Sequence, residues 1–154
     1  MILTPIRQFD YTHVPLADGL YVLTVTQDGR DGYPAETSPA YFLRVDTAPP
    51  TGRIFINNND ATCDLTDVTL SITVDPDQGS TVREMQLTND LGLWGAWQQL
   101  AAELAWQLTD GLGQKTIYVR FRDLAGNISE IYSDSIQYRG LTSLTLQVTI
   151  NGYS

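Results

Sequence analysis

Thr116-Ile-Tyr-Val-Arg-Phe-Arg-Asp-Leu-Ala-Gly-Asn127 decides how this chain is read. Its apolar residues recur at every second position, the period of an extended strand with one buried face. The run then meets Asp123-Leu-Ala-Gly-Asn127, where Asp and Asn offer local side-chain hydrogen bonds and Gly tolerates backbone angles that other residues avoid. A strand running into a tight reversal is the expectation.

The same period-two pattern recurs outward in both directions. It is present in Tyr21-Val-Leu-Thr-Val-Thr26, Ala40-Tyr-Phe-Leu-Arg-Val45, Arg53-Ile-Phe-Ile56, Val68-Thr-Leu-Ser-Ile-Thr-Val74, Val82-Arg-Glu-Met-Gln-Leu87 and Ser135-Ile-Gln-Tyr138. Turn-forming clusters separate these runs at Asp75-Pro-Asp-Gln-Gly-Ser80, Asn89-Asp-Leu-Gly92 and Asp110-Gly-Leu-Gly113. Helical periodicity is nearly absent, and Gln98 to Leu104, the one helix-permissive segment, is read as a short turn or strand approach. Regularly spaced short strands with such turns predict an all-β, antiparallel, immunoglobulin-like β-sandwich.

Two features set the organisation. Asp46-Thr-Ala-Pro-Pro50 is a stiff linker, because each proline fixes its own backbone and pushes the residue before it into extended geometry. A partial repeat lies on either side of it. Leu16-Ala-Asp-Gly and the strands that follow parallel Leu108-Thr-Asp-Gly with the strand at 116–121 and the one ending at Tyr138. Residues 1–45 therefore read as an incomplete N-terminal β unit, residues 46–139 as the sandwich, and residues 140–154 as a C-terminal β tail. In the tail Leu144, Leu146, Val148 and Ile150 alternate with Thr145, Gln147 and Thr149. An odd number of alternating strands would place the sandwich's two ends at opposite poles, so the flanks are expected to pair with another subunit or a host scaffold by strand addition.

Residues 46–139 resemble the bacterial immunoglobulin-like domains found in tandem on large surface proteins and in phage virion proteins. The resemblance is carried by Asp46-Thr-Ala-Pro-Pro-Thr-Gly52, the strand pair 67–74 and 82–88 with Met85 and Asn89-Asp90, Trp94-Gly-Ala-Trp97, and Tyr118-Val-Arg-Phe-Arg-Asp-Leu-Ala-Gly-Asn127. It implies modular display rather than catalysis. It further implies that the Asp-x-Ala-Gly-Asn element joins the last two strands, and that the tryptophan pair belongs to the core and its edge. The chain departs from the tandem pattern at both ends: residues 1–45 are short for a full repeat, and residues 140–154 do not start another.

Composition narrows the function classes. The 154 residues carry 9 Lys and Arg against 18 Asp and Glu, a net charge of −9. With no basic run, nucleic acid and anionic membrane surfaces are not the expected partners. No stretch is apolar enough to span a bilayer, and Met1 to Asp10 lack a secretory-signal pattern. Cys63 is the single cysteine and is read as a thiol made inert by burial, with no histidine or basic neighbour to lower its pKa. His13 is the single histidine, so neither a zinc cluster nor a histidine-based triad assembles easily.

Three groups of residues stand out as candidate sites. Asp75 and Asp77, with Asp123 and Asp134, invite a structural calcium, but their spacing matches no calcium-loop motif; turn formation is expected instead, and no cofactor. Trp94, Trp97 and Trp106, with Tyr118 and Tyr132, would suit a sugar-stacking platform, although one or two of the indoles are expected between the sheets. Asn127-Ile-Ser129 fits a glycosylation triplet, and its asparagine is read as a turn residue. The residues singled out for interaction are thus Trp94, Trp97, Leu144, Leu146, Val148 and Ile150. The functional expectation is a non-enzymatic assembly component of a phage virion or similar extracellular particle, with protein partners and a homo-oligomeric or larger assembly. The alternative is a bacterial cell-surface adhesin module that binds glycan or protein.

Overall fold

The computed structural model describes residues 15–29, 32, 34–76 and 79–141. The chain divides into two compact units, Met1–Thr47 and Ala48–Ser154. Every regular element among the described residues is a strand. His13, Asp77 and the tail positions Leu144, Leu146, Val148 and Ile150 lie outside the described residues.

The first unit is a ribbon. Strand β1 (Gly19–Leu23) and β2 (Thr26–Gln27) run out, and β3 (Glu36–Thr37) and β4 (Tyr41–Val45) return. Gly19 pairs with Val45 and Leu23 with Tyr41, while β2 pairs with β3. The run expected over Tyr21–Thr26 is split because Ser38 interrupts the ladder. The backbone N–H of Val25 donates to Ser38 Oγ at 2.9 Å, and Ser38 N–H donates to the Val25 carbonyl at 2.8 Å. At the open end Asp18 Oδ1 accepts from both the N–H and the hydroxyl of Thr47, each at 2.9 Å. These sheets are two-stranded, and Leu20, Val22 and Phe42 remain exposed.

The second unit is a two-layer sandwich. One sheet contains β5 (Gly52–Ile56), β7 (Asp67–Val74) and β10 (Glu103–Gln107) in the order β10-β7-β5. The other contains β6 (Thr62–Cys63), β8 (Val82–Thr88), β9 (Gln98–Gln99), β11 (Gly113–Asp123) and β12 (Tyr132–Tyr138) in the order β6-β12-β11-β8-β9. The pairings are antiparallel except for β6, which lies parallel to β12. Alternate residues of the facing sheets, among them Ile54, Leu70, Met85, Ile117, Phe121 and Ile136, fill the space between them. This is an immunoglobulin-like β-sandwich, with stability drawn from apolar burial between two layers.

The first strand changes sheets. After Ile56 the residues Asn57, Asn58 and Asn59 adopt positive φ values of 47°, 56° and 72°, a left-handed region that asparagine tolerates better than most side chains. The kink carries the chain from β5 to β6. Asn57 Oδ1 accepts Thr69 N–H at 2.9 Å, which anchors the kink to β7. On its free edge, Ile56 N–H donates to Asp134 Oδ2 at 2.7 Å. Asp134 sits on β12, so this bond ties the two sheets where the strand leaves one for the other. At the other end of β5 there is no room for a side chain: a Cβ on Gly52 would stand 2.6 Å from the Thr73 carbonyl and 2.7 Å from the Phe121 ring.

Gln98–Leu104, expected to be a turn or strand approach, contributes β9 and opens β10. Ala101, Ala102 and Glu103 have good intrinsic helix propensity, but Ile72 N–H donates to the Ala102 carbonyl at 2.8 Å, and Glu103 through Gln107 then pair with Ser71 through Asp67. Pairing with β7 overrides the local preference. The register also fixes the poles of the sandwich. Gly52 lies opposite Val74 at one pole, whereas Tyr138 lies opposite Gly113 at the other.

Candidate interaction surfaces

The hairpin at Asp123–Asn127 explains why that segment dominates the sequence. Asp123 is buried, its Oδ1 accepts Asn127 N–H at 2.8 Å, and its Oδ2 accepts the Asn127 side-chain amide at 2.9 Å. Gly126 supplies a φ of 96°. Ser129 closes the far side, accepting Phe121 N–H at 2.9 Å and donating to the Glu130 carbonyl at 2.6 Å. The turn joins β11 to β12, with Asn127 in the turn.

Asp75, Asp123 and Asp134 occupy separate places, each with oxygens already used. Asp75 accepts from Thr51 Oγ1 at 2.8 Å and pairs with Arg53 at 3.3 Å. The Thr51 hydroxyl and then the Arg53 guanidinium hold its carboxyl below the usual carboxylate range. Asp134 spends Oδ2 on Ile56 and Oδ1 on the Ser135 N–H at 2.8 Å. No group of three or more His, Cys, Asp or Glu that could hold a metal is present among the described residues. At Cys63, partial burial and then the neighbouring Asp64 push the thiol pKa up, which disfavours the reactive thiolate.

The aromatic residues do not form one platform. Trp106 lies on β10 against the core, and its indole N–H donates to Asn89 Oδ1 at 2.9 Å. Tyr132 packs against the core, with its ring 5.8 Å from that of Phe121. Trp94 and Trp97 are elsewhere, on the outer face of the larger sheet rather than in the core or between the layers. Their loop folds over β8 and is held there by several bonds. Gln86 donates its side-chain amide to the Gly95 carbonyl, Gly95 N–H donates to the Leu87 carbonyl at 3.3 Å, and Asp90 N–H donates to Thr88 Oγ1 at 2.9 Å.

Below that loop, β11 presents two arginines. The Arg120 guanidinium lies 4.5 Å from the Trp94 ring centroid and 5.4 Å from that of Trp97, and Arg122 lies 4.5 Å from Trp97. The arginine edges are occupied as well, Arg120 Nε donating to Gln86 Oε1 and Arg122 Nε to Glu84 Oε2, both at 2.8 Å. The result is an interleaved Trp–Arg array, and beneath it and its loop Gln86 and Thr88 are buried although they point away from the core, the Thr88 hydroxyl donating to the Asp90 and Leu93 carbonyls. Such contacts are worth about 0.5–1 kcal/mol each at exposed sites and more when desolvated. Arg120 and Arg122 were missed in the sequence reading. Their i, i+2 spacing on one face of β11 was legible, but nothing in it told which loop would cover that face.

No protein-family model matches the chain, and no curated protein matches it. Among solved structures, it is similar to the fibronectin(III)-like modules of Clostridium thermocellum CbhA. That likeness has a TM-score of 0.45 and 16% identity, covering 86% of this chain and 70% of that one. The sandwich assignment follows from strand order and register.

The second surface is the ribbon of the first unit. Leu20, Val22, Phe42 and Arg44 share one face by register and alternation, and Leu23, Tyr41 and Leu43 belong to the other. Val22 is 58% exposed and Phe42 72% exposed, against complete burial of Val119 and Phe121 in the sandwich.

Proposed function

We propose that this chain is a non-enzymatic structural protein of a phage virion or similar extracellular particle. It would serve as a capsid-decoration, tail or fibre component acting through its immunoglobulin-like module and subunit contacts. The observation that carries this reading is the N-terminal ribbon, whose apolar residues are exposed on both faces. A two-stranded sheet is marginal in water without a cover, and a neighbouring subunit supplies one. The partners are protein, in a homo-oligomer or a larger particle or cell-surface assembly; a net charge of −9 disfavours nucleic acid. The resemblance of residues 46–139 to virion and surface immunoglobulin-like domains supports the same reading, and the tail 140–154 is proposed to contribute an assembly strand.

The test is the native mass of the full chain beside a chain ending at Arg139. The full chain is expected to assemble as concentration rises, and the shortened one to assemble less. A full chain that stays monomeric up to high micromolar concentration would overturn the proposal. An adhesin reading draws on the partial exposure of Trp94 and Trp97. Binding on a glycan array that disappears in Trp94→Ala and Trp97→Ala would favour it instead.

A further inference from the structure

One cation of the Trp–Arg array has no counter-ion. Arg122 is paired with Glu84. Arg120 is half-buried and flanked by the rings of Trp94 and Trp97, and its Nε is held by the neutral amide oxygen of Gln86. Among the described residues no carboxylate lies within ion-pair distance of it, and its terminal amino groups have no protein acceptor. Taking a cation partly out of water without an anion is costly. The chain has 18 acids to 9 bases, so anions were not in short supply. Gln86 and the two indoles fix the plane of the guanidinium and leave its remaining N–H donors for a ligand. The neighbouring surface is rich in hydroxyls and amides. Val119 and Phe121 face the core, so Tyr118 shares the outer face with Arg120, opposite Ser133 on β12 and Thr88 on β8. Further along the strands Thr116 and Ser135 share a hydrogen bond at 2.8 Å, and Gln114 pairs with Gln137. No acid stands among these positions, because Asp134 turns the other way, to Ile56.

We propose that this face binds a carboxylate-bearing polysaccharide, with a sugar-acid carboxylate on the Arg120 guanidinium and sugar rings against Tyr118 and Trp94. The proposal rests on the glycan reading of Trp94 and Trp97 and is independent of assembly. Chemistry and topology select this occupant. A planar carboxylate matches the guanidinium fork through parallel N–H donors. Aromatic rings offer a sugar ring an apolar face, and the hydroxyl and amide side chains of β11 and β12 can exchange hydrogen bonds with its hydroxyls. A peptide fits less well. Strand β11 is paired on both sides, by β8 and β12, so it cannot accept an added strand. The polar positions along it also lack the apolar character that peptide anchors use.

Affinity electrophoresis and calorimetry with the full chain test this, using polygalacturonate, alginate, hyaluronan and polysialic acid, each beside its methyl ester. At least one of the acids is expected to bind, and its ester to bind about tenfold more weakly or not at all. Arg120→Gln should abolish that binding, and Arg120→Lys should weaken it about tenfold, because an ammonium lacks the fork. Since Arg120→Gln also removes a contact of the tryptophan loop, Ser133→Glu serves as a second variant. That position is exposed and lies outside the array, and a carboxylate there repels an anionic ligand beside Tyr118. Thermal unfolding confirms the fold of each variant. Equal binding of acid and ester, or binding that survives either Arg120→Gln or Ser133→Glu, overturns the proposal. Polyglutamate binding as tightly as the polysaccharides, with the same dependence on Arg120, overturns it in favour of an acidic polypeptide. Binding confined to neutral glycans and lost in Trp94→Ala overturns the acidic assignment and leaves the glycan reading standing. No binding to the four acids or on a glycan array overturns both, while native mass still tests assembly separately.

Discussion

The N-terminal ribbon and the β11–β12 hairpin are built from similar sequence and reach opposite fates. Each pairs two antiparallel strands with alternating apolar residues, Val22 and Phe42 in one, Val119, Phe121 and Ile136 in the other. Phe121 is fully buried and Phe42 is 72% exposed. The difference lies in what stands opposite. The hairpin faces β5 and β7 of a second sheet across a shared core, while the described ribbon has no second sheet within its unit. Alternation qualifies a strand for burial, and a facing layer is what delivers it.

The largest expected effect tests that contrast. Phe121→Ala should destabilise the sandwich by about 3–5 kcal/mol, by lost transfer energy and the cavity left behind. Phe42→Ala in the isolated monomer should change the sandwich midpoint by no more than about 0.5 kcal/mol, as exposed positions do. Chemical denaturation followed by tryptophan fluorescence measures both, and comparable losses would break the comparison.

Next come the two places where the sandwich closes on itself. Asp134→Ala leaves the Ile56 N–H without its carboxylate and should cost about 1–3 kcal/mol in the same assay. Gly52→Ala should cost a similar amount, about 1–3 kcal/mol, because the added methyl meets the Thr73 backbone and the Phe121 ring. A neutral result at both would mean that the layers are held by apolar packing alone.

Smaller effects sharpen the picture at the surface. Arg120→Ala should cost about 0.5–1 kcal/mol, with a change in tryptophan emission as Trp94 and Trp97 lose a shared guanidinium. Asp75 should give the smallest effect. Its folded-state pKa lies below the ordinary 3.8, so its contribution is present at neutral pH and is lost as pH falls below that value through the depressed one. Asp75→Asn should therefore flatten the acid limb of the stability profile slightly, without shifting the basic limb.

Much of the fold was legible because strand period and turn chemistry are local properties. The strands at 53–56, 68–74, 82–87, 116–121 and 135–138 all fall within observed strands, and Asp123-Leu-Ala-Gly-Asn127 forms the hairpin its residues suggest. Where local signals were weak or divided, reading was harder. The β10 segment follows a pair of alanines that suit a helix, and its strand character comes from hydrogen bonds to β7, remote in sequence. The interaction residues were only partly legible: Trp94 and Trp97 stood out by type, while their placement over Arg120 and Arg122 did not.

The sequence by itself determined the period of each strand, the positions of its reversals, the acidity of its surface and the want of residues for histidine- or disulfide-based chemistry. The tertiary structure alone decided that three asparagines carry β5 across to the other sheet, that Asp134 bridges the layers there, and that Trp94 and Trp97 flank Arg120. The physical reason is that alternation states which side chains share a face. Which face is covered, and by what, depends on contacts between residues far apart in the chain.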